Sequence, residues 1–236
     1  MFQPSWRLLL PINTTGSMQM AIDRWLLSQG RPCLRFYQWH PPAISLGYHQ
    51  QSYPEHWSQL GLELVRRPTG GRAVLHQGDL TYSLITPLIP GSRQEVYNYL
   101  CGFLLTGWRS LGVNLGYGQR DRGYLQNPSC FNTGTSADLM TEDGYKLIGS
   151  AQLKTNQGYL QHGSMVLRPD RQLFHQVFKQ PCPYAPHDYE MALDLLIEKL
   201  TIAAELYFKV RLVPEPLYTE EWSEIKKLTC QYHIEC

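Results

Sequence analysis

Three kinds of residue in this sequence have the type and spacing to do chemistry. They are a cysteine in a polar loop, a lysine just past a hairpin turn, and a pair of glycines framed by arginines. Cys130 lies in NPSCFNTGTSAD, beside Pro128, Ser129 and Asn132. Structural cysteines favour apolar segments, as Cys33 and Cys101 do here. A thiol in a polar loop is a nucleophile where nearby cations hold it as a thiolate, and a bystander where they do not.

Lys146 follows the Asp143-Gly144 turn in DGYKLIGSAQ. On a strand it shares a side with Gly144 and Ile148, opposite Leu147. One reading is a surface lysine, whose change to alanine costs no more than ~0.5 kcal/mol. The other is a lysine aimed into a cleft floored by Gly149, Ser150 and Ala151, whose small side chains leave room for a ligand. There its ammonium binds an acyl oxygen or a phosphate. His162 and Gly163, in LQHGS, can close the same pocket; His162 is either a proton carrier or a core histidine bonded to backbone.

The third stretch is RRPTGGRAVLH, residues 66–76. Adjacent glycines admit positive φ and leave the backbone open to a ligand, and the N–H groups of such a turn can cradle an anion. Arg66, Arg67 and Arg72 can add charge-assisted bonds to phosphate or carboxylate, with Thr69, Gly70, Gly71 and His76 on the same rim. The plain alternative is a tight turn on a solvated edge. No GK[ST] follows the glycines, so this is not a P-loop, and the run is not a GxGxxG dinucleotide fingerprint. The histidines and cysteines show no HExxH or spaced zinc set, and paired carboxylates for glycosidase chemistry are absent from the central region.

The elements that must position these residues follow from period and punctuation. SMQMAIDRWLLSQG is a helix capped by Ser17 and ended by Gly30. PCLRFYQW, AISLGY, LELVRRP, AVLH and DLTYSLITP read as strands, with a short helix in YPEHWSQLG. Residues 93–111 carry the longest helical period, with Val96, Leu100, Phe103, Leu104, Trp108 and Leu111 on one face. Residues 137–167 read as three strands, and 188–236 as a helical C-terminal segment. The whole is expected to be one α+β domain over 1–236, a mixed sheet with packed helices.

Among 236 residues, 43% are hydrophobic and only 17% charged, with a net charge of +1. That length supports one good core. The near-zero charge provides no global field for nucleic acid, and no apolar run approaches the ~20 residues of a membrane span. The N-terminus lacks the apolar region of a signal peptide. Six cysteines without a CxxC pair suit a reducing, cytoplasmic setting.

Taken together, RRPTGGRAVLHQGDLTYS, SCF, DGYKLIGSAQ and LQHGS resemble the biotin/lipoate protein ligase and transferase superfamily, and most closely its LipM-type octanoyltransferases. WRLL…MQMAIDRWLL and RFYQWHPPAISLGYHQ are similar to that group as well, so the likeness runs from about residue 5 to about 180. The resemblance implies the catalytic-domain fold of that superfamily, with a medium-chain acyl group held in a tunnel. It implies transfer of octanoyl from acyl carrier protein onto Cys130, then onto a lysine of a lipoyl domain or of the glycine cleavage H protein. Lys146 takes the place of the family lysine, disfavouring protonation of the acceptor amine and steadying the oxyanion. Thr69 to His76 line the acyl and pantetheine end. No cofactor and a monomeric state are expected. The run CFNTGTSADLM departs from the CFDAPSWYE of the transferases: Asn132 replaces an acid and Gly134 a proline. It leans towards the lipoate ligases, which lack the cysteine and activate the acid with ATP and magnesium. The biotin signature GRGRxGR is absent.

Overall fold

The computed structural model describes residues 3–118, 138–185 and 188–234. Its strands are β1 (Ser5–Thr14), β2 (Cys33–Trp39), β3 (Ala43–Leu46), β4 (Glu63–Arg66), β5 (Val74–His76), β6 (Asp79–Thr86), β7 (Leu115–Tyr117), β8 (Leu139–Thr141), β9 (Lys146–Thr155), β10 (Gly158–Val166) and β11 (Arg211–Pro214). Its helices are α1 (Gly16–Gln29), α2 (Arg93–Ser110), α3 (Arg171–Phe178), α4 (Leu193–Phe208) and α5 (Thr219–Leu228), with a 3-10 turn at Glu55–Gln59.

Eight strands form a mixed sheet in the order β11-β1-β2-β6-β10-β9-β8-β7, and β4-β3-β5 form a smaller one. The sheet separates two cores by the two-residue period of its strands. Leu8, Leu34, Phe36, Tyr82, Leu84 and Tyr159 face α2 and α4. Their neighbours Leu9, Cys33, Tyr37, Ile85 and Leu160 face α1 and α5. A third cluster gathers Ile44, Leu46, Trp57, Leu75, Phe174 and Phe178 around the small sheet and α3. β6 and β10 are buried along their whole lengths, as central strands covered on both faces must be. This is the expected α+β architecture.

Several details differ from the sequence reading. Thr15, not Ser17, caps α1, its side chain accepting from Met18 N. The first two backbone donors of that helix go instead to Glu63 of β4, from Gly16 N at 2.6 Å and Ser17 N at 3.0 Å. β1 and α3 were not read from the sequence, although α3 carries Leu173, Phe174, Val177 and Phe178 at helical spacing behind the cap residue Asp170. The C-terminal segment is not wholly helical: β11 pairs in parallel with β1, extending the main sheet, and α4 begins at Leu193 rather than Asp188.

Candidate active site

The turn between β4 and β5 crosses the end of β3. Its course is fixed by Arg67 N donating to Leu46 O at 3.0 Å and Tyr48 N to Thr69 O at 2.8 Å. Buried Arg67 completes the fixing. Its guanidinium donates to Ser45 O (2.9 Å), Ser45 Oγ (3.1 Å), Gly70 O (2.8 Å from Nη2) and Arg72 O (2.7 Å). Arg66 reaches the carbonyls of Gly47 and Gln50. The expectation that these two arginines clamp an anion is therefore corrected. Carbonyl oxygens crowded by a tight turn need donors, and Arg66 and Arg67 supply them. Arg72 is half-buried at the end of the turn. Gly71 is exposed at φ 98°, a conformation suited to glycine, and a Cβ at Gly70 would meet nothing within 4 Å. The open side of the turn lies at these two glycines.

Thr69, behind Gly70, is buried, and its hydroxyl lies 2.7 Å from His162 Nε2. The other ring nitrogen, Nδ1, lies 2.9 Å from Asp23 Oδ2. Asp23 also receives Arg35 Nη1 at 3.0 Å and the Tyr37 hydroxyl at 3.1 Å. Burial opposes ionisation of Asp23, but Arg35 and the His162 hydrogen bond outweigh it and hold the carboxyl below its usual range. An ionised Asp23 accepts, so His162 carries its proton on Nδ1, and Nε2 accepts from the Thr69 hydroxyl. His162 is thus held by side chains, not by backbone.

A second chain of the same pattern links β3, β5 and β6. Ser45 Oγ is 2.9 Å from His76 Nε2, and His76 Nδ1 is 2.9 Å from Asp79 Oδ2. Asp79 also accepts from Ser164 at 2.6 Å. His76 stacks on Trp39 with ring centroids 3.7 Å apart. Burial lowers its proton affinity below the ordinary histidine value, with Asp79 opposing. His76 is not on the rim, contrary to expectation; it belongs to the core beneath the turn.

β9 runs beside β10 with Ala151 opposite His162, Ser150 opposite Gly163 and Gly149 opposite Ser164. Residues 149–151 are half-exposed while their partners on β10 are buried. These three small residues are only partly covered. Gly149 and Ala151 share the face of His162, since directly opposed residues point the same way. Ser150 points to the other face, where its hydroxyl meets Tyr82 OH at 2.8 Å and its carbonyl accepts from Tyr97 at 3.0 Å. A Cβ at Gly163 would strike Ser150 Oγ and the Gly149 carbonyl, so glycine there makes room for that bond.

Lys146 is 5% exposed, and its Nζ lies 2.8 Å from Asp138 Oδ1. The surface reading of Lys146, with its tolerance of alanine, is corrected: the ammonium is an internal cation. It also borders a small, partly open recess lined by Leu147, Val166, Leu167, Tyr184, Ala185 and Tyr189. Cys130, with Asn132 and Gly134, lies outside the described residues. Burial pushes the thiols of Cys33 and Cys101 up to about 12, so neither is a nucleophile at neutral pH. The described residues contain no group of three or more His, Cys, Asp or Glu side chains that could hold a metal.

The carboxylates of the site, Asp23, Asp79 and Asp138, escaped the reading of the sequence. Asp23 had one available signal, an acid inside the apolar stripe of α1; Asp79 and Asp138 stand in the runs HQGDLTYS and TSADLM that were read for the family resemblance.

The family model of the lipoyl protein ligase A/B catalytic domain matches residues 15–202. Octanoyltransferase LipM of Anoxybacillus flavithermus is 37% identical over 196 residues, 75% of this chain and 70% of that protein. Octanoyltransferase LipM of Bacillus subtilis is 35% identical over 203 residues, 77% and 72% respectively. Among solved structures, a lipoate-protein ligase A bound with ATP superposes with a TM-score of 0.81 at 22% identity, covering 96% of this chain and 95% of that one. The bi-partite lipoate protein ligase of Thermoplasma acidophilum gives 0.78 at 20% identity, covering 97% and 93%. These two structures speak for the fold.

Proposed function

This chain belongs to the lipoyl protein ligase A/B catalytic family, and from that footing we propose that it is an octanoyltransferase of lipoate biosynthesis. It takes an octanoyl group from acyl carrier protein onto Cys130 and passes it to a lysine of a lipoyl domain or of the glycine cleavage H protein. The observation that carries this reading is the 37% identity to LipM octanoyltransferases over three quarters of the chain. The likeness to the ATP-bound ligase stops at the fold, and an adenylate-forming enzyme has no chemical use for the SCF cysteine.

The chemistry follows from the residues. A thioester already carries the activation that ATP otherwise supplies, so no cofactor is needed. Acyl transfer to a thiol divides the reaction into two steps. The open strand at Gly149 and Ala151 and the turn at Gly70-Gly71 frame the acyl and pantetheine arm. Lys146, fixed by Asp138, supplies a positive charge that steadies the oxyanion of each tetrahedral intermediate. Arg67 contributes by holding the turn. Among the described residues no helix is long and apolar enough to cross a membrane, and a monomer working in the cytoplasm on protein substrates fits this reading.

Incubation with octanoyl-acyl carrier protein, without nucleotide, is expected to add one octanoyl mass to the intact chain. Cys130→Ser abolishes the adduct, while Cys33→Ser and Cys101→Ser retain it. In a parallel reaction, free octanoate with ATP, magnesium and an apo lipoyl domain gives no octanoylated domain. Product there, undiminished in Cys130→Ser, transfers the assignment to the ligases.

A further inference from the structure

Helix α4 has two unlike faces. Leu196, Leu200, Ala203, Ala204 and Phe208 are buried in the core shared with α2 and the main sheet. The opposite face carries Leu195, Ile202 and Leu206, whose spacing places them in one stripe of an α-helix. They are 42%, 41% and 71% exposed. At the edge of the stripe Tyr207 lies across α2, where a Cβ on Gly102 would strike its ring and hydroxyl. Tyr99, itself exposed, stands against Tyr207 with ring centroids 5.6 Å apart. Single exposed aliphatic side chains are ordinary, but a row of them bordered by tyrosines has the composition of an interface.

The charges around the stripe select the partner. Asp194 and Glu198 are exposed in the first half of the helix, and Lys209 and Arg211 are exposed at its far end. Lys199 is half-buried between them, and the Glu205 carboxylate accepts from Leu212 N at 2.7 Å within the chain. The outer face is therefore negative at one end, apolar along the middle and positive at the other end. A uniformly acidic or basic partner, or an anionic lipid surface, meets a like charge at one of those ends. A second copy laid antiparallel meets the opposite charge at both.

We propose that α4 is a self-association surface, through which two copies of this chain pair about a two-fold axis beside Ile202. The axis sets Leu195 against the partner's Leu206, and Ile202 against the partner's Ile202. Asp194 and Glu198 then approach the partner's Lys209 and the partner's Arg211. Such a contact uses the same patch twice and closes after two copies. The stripe is about 17 Å long on a helix ~10 Å across, so each chain buries on the order of 400 Å², half the ~800 Å² of a standard interface. The dimer is therefore weak and forms as concentration rises, while the dilute chain is a monomer. α4 lies on the side of the main sheet opposite α1 and His162, so pairing leaves the turn at Gly70-Gly71, above Thr69 and His162, uncovered in each copy.

Sedimentation velocity on the full chain, from about 1 µM to about 300 µM, is expected to show an average mass rising from that of one chain towards that of two. Leu206→Glu, at a position exposed enough to keep the urea midpoint unchanged, stays at the mass of one chain throughout. Glu198→Lys and Lys209→Glu each weaken the dimer about tenfold, because each turns two symmetry-related attractions into repulsions. The two changes combined restore it, since each new lysine then faces a new glutamate. A wild type that keeps the mass of one chain at the highest concentration overturns the proposal. Self-association that persists in Leu206→Glu also overturns it, because the contact then lies elsewhere. A double variant no stronger than either single one overturns the antiparallel pairing. Binding of the wild type but not Leu206→Glu to phosphatidylcholine–phosphatidylglycerol vesicles, without a dimer, overturns it in favour of a lipid surface. Octanoyl loading of the dilute chain is expected to be equal in the wild type and Leu206→Glu, so none of these results bears on the octanoyl-transfer reading.

Discussion

At the scale of the residue, charge in this protein is used internally. Arg67, Arg35, Asp23, Asp79 and Lys146 are all buried, and each is paired or bonded, as a charge removed from water must be. Lys146 shows the consequence. Its side chain is 3% exposed against an equally buried Asp138, so Lys146→Ala removes one partner of an internal ion pair. The expected cost is about 3 kcal/mol, the order measured when such a pair is broken. It would appear as a lowered urea midpoint with unchanged slope. A loss within ~0.5 kcal/mol would restore the surface reading of this lysine.

At the scale of the element, two glycines near the same turn have opposite constraints. A Cβ on Gly47, at the end of β3, would land on the Gly71 carbonyl, where the strand and the turn pass in contact. Gly47→Ala must therefore push the turn away from β3 and break the bond of Tyr48 N to Thr69 O. A loss of about 2 kcal/mol or more in thermal or urea unfolding is expected, as for other overpacked sites. Gly70 faces open space, so Gly70→Ala leaves stability within ~0.5 kcal/mol. It narrows the side from which the acyl arm approaches, and a raised KM for octanoyl-acyl carrier protein is the expected result. Equal stability losses in the two variants would contradict the geometry drawn for the turn.

At the scale of the molecule, the C-terminal segment packs into the core beneath α1 and into the main sheet. β11 extends the main sheet beside β1. Leu217, Ile225 and Tyr232 join the cluster under α1. Arg7 is 3% exposed and is paired with Glu221 of α5 at 2.7 Å. Truncation after Lys209 would bare the edge of β1, strip apolar surface from α1 and leave Arg7 without its carboxylate. Such a chain is expected to be insoluble, or to lose its cooperative unfolding transition, rather than to behave as a catalytic domain without its tail. Recovery of a soluble, sharply unfolding 1–209 fragment would show that the segment is an appendage.

Period and punctuation in the chain were enough to locate α2, β2 to β6 and the β8–β10 meander, because their apolar spacing and bounding glycines and prolines are local signals. The separated motifs, in order, were enough to identify the family. The direction in which each functional side chain points was decided only in three dimensions. β10 is buried on both faces, and Gln161, His162, Gly163 and Ser164 follow one another without an apolar residue between them, so no alternation marked which side His162 or Ser164 would take. The partners that fix those side chains lie far away in sequence: Asp23 stands 139 residues before His162, and Tyr82 68 before Ser150. Three arginines around two glycines looked like an anion clamp. Crowded carbonyls, which exist only once the turn has closed, claim two of them first.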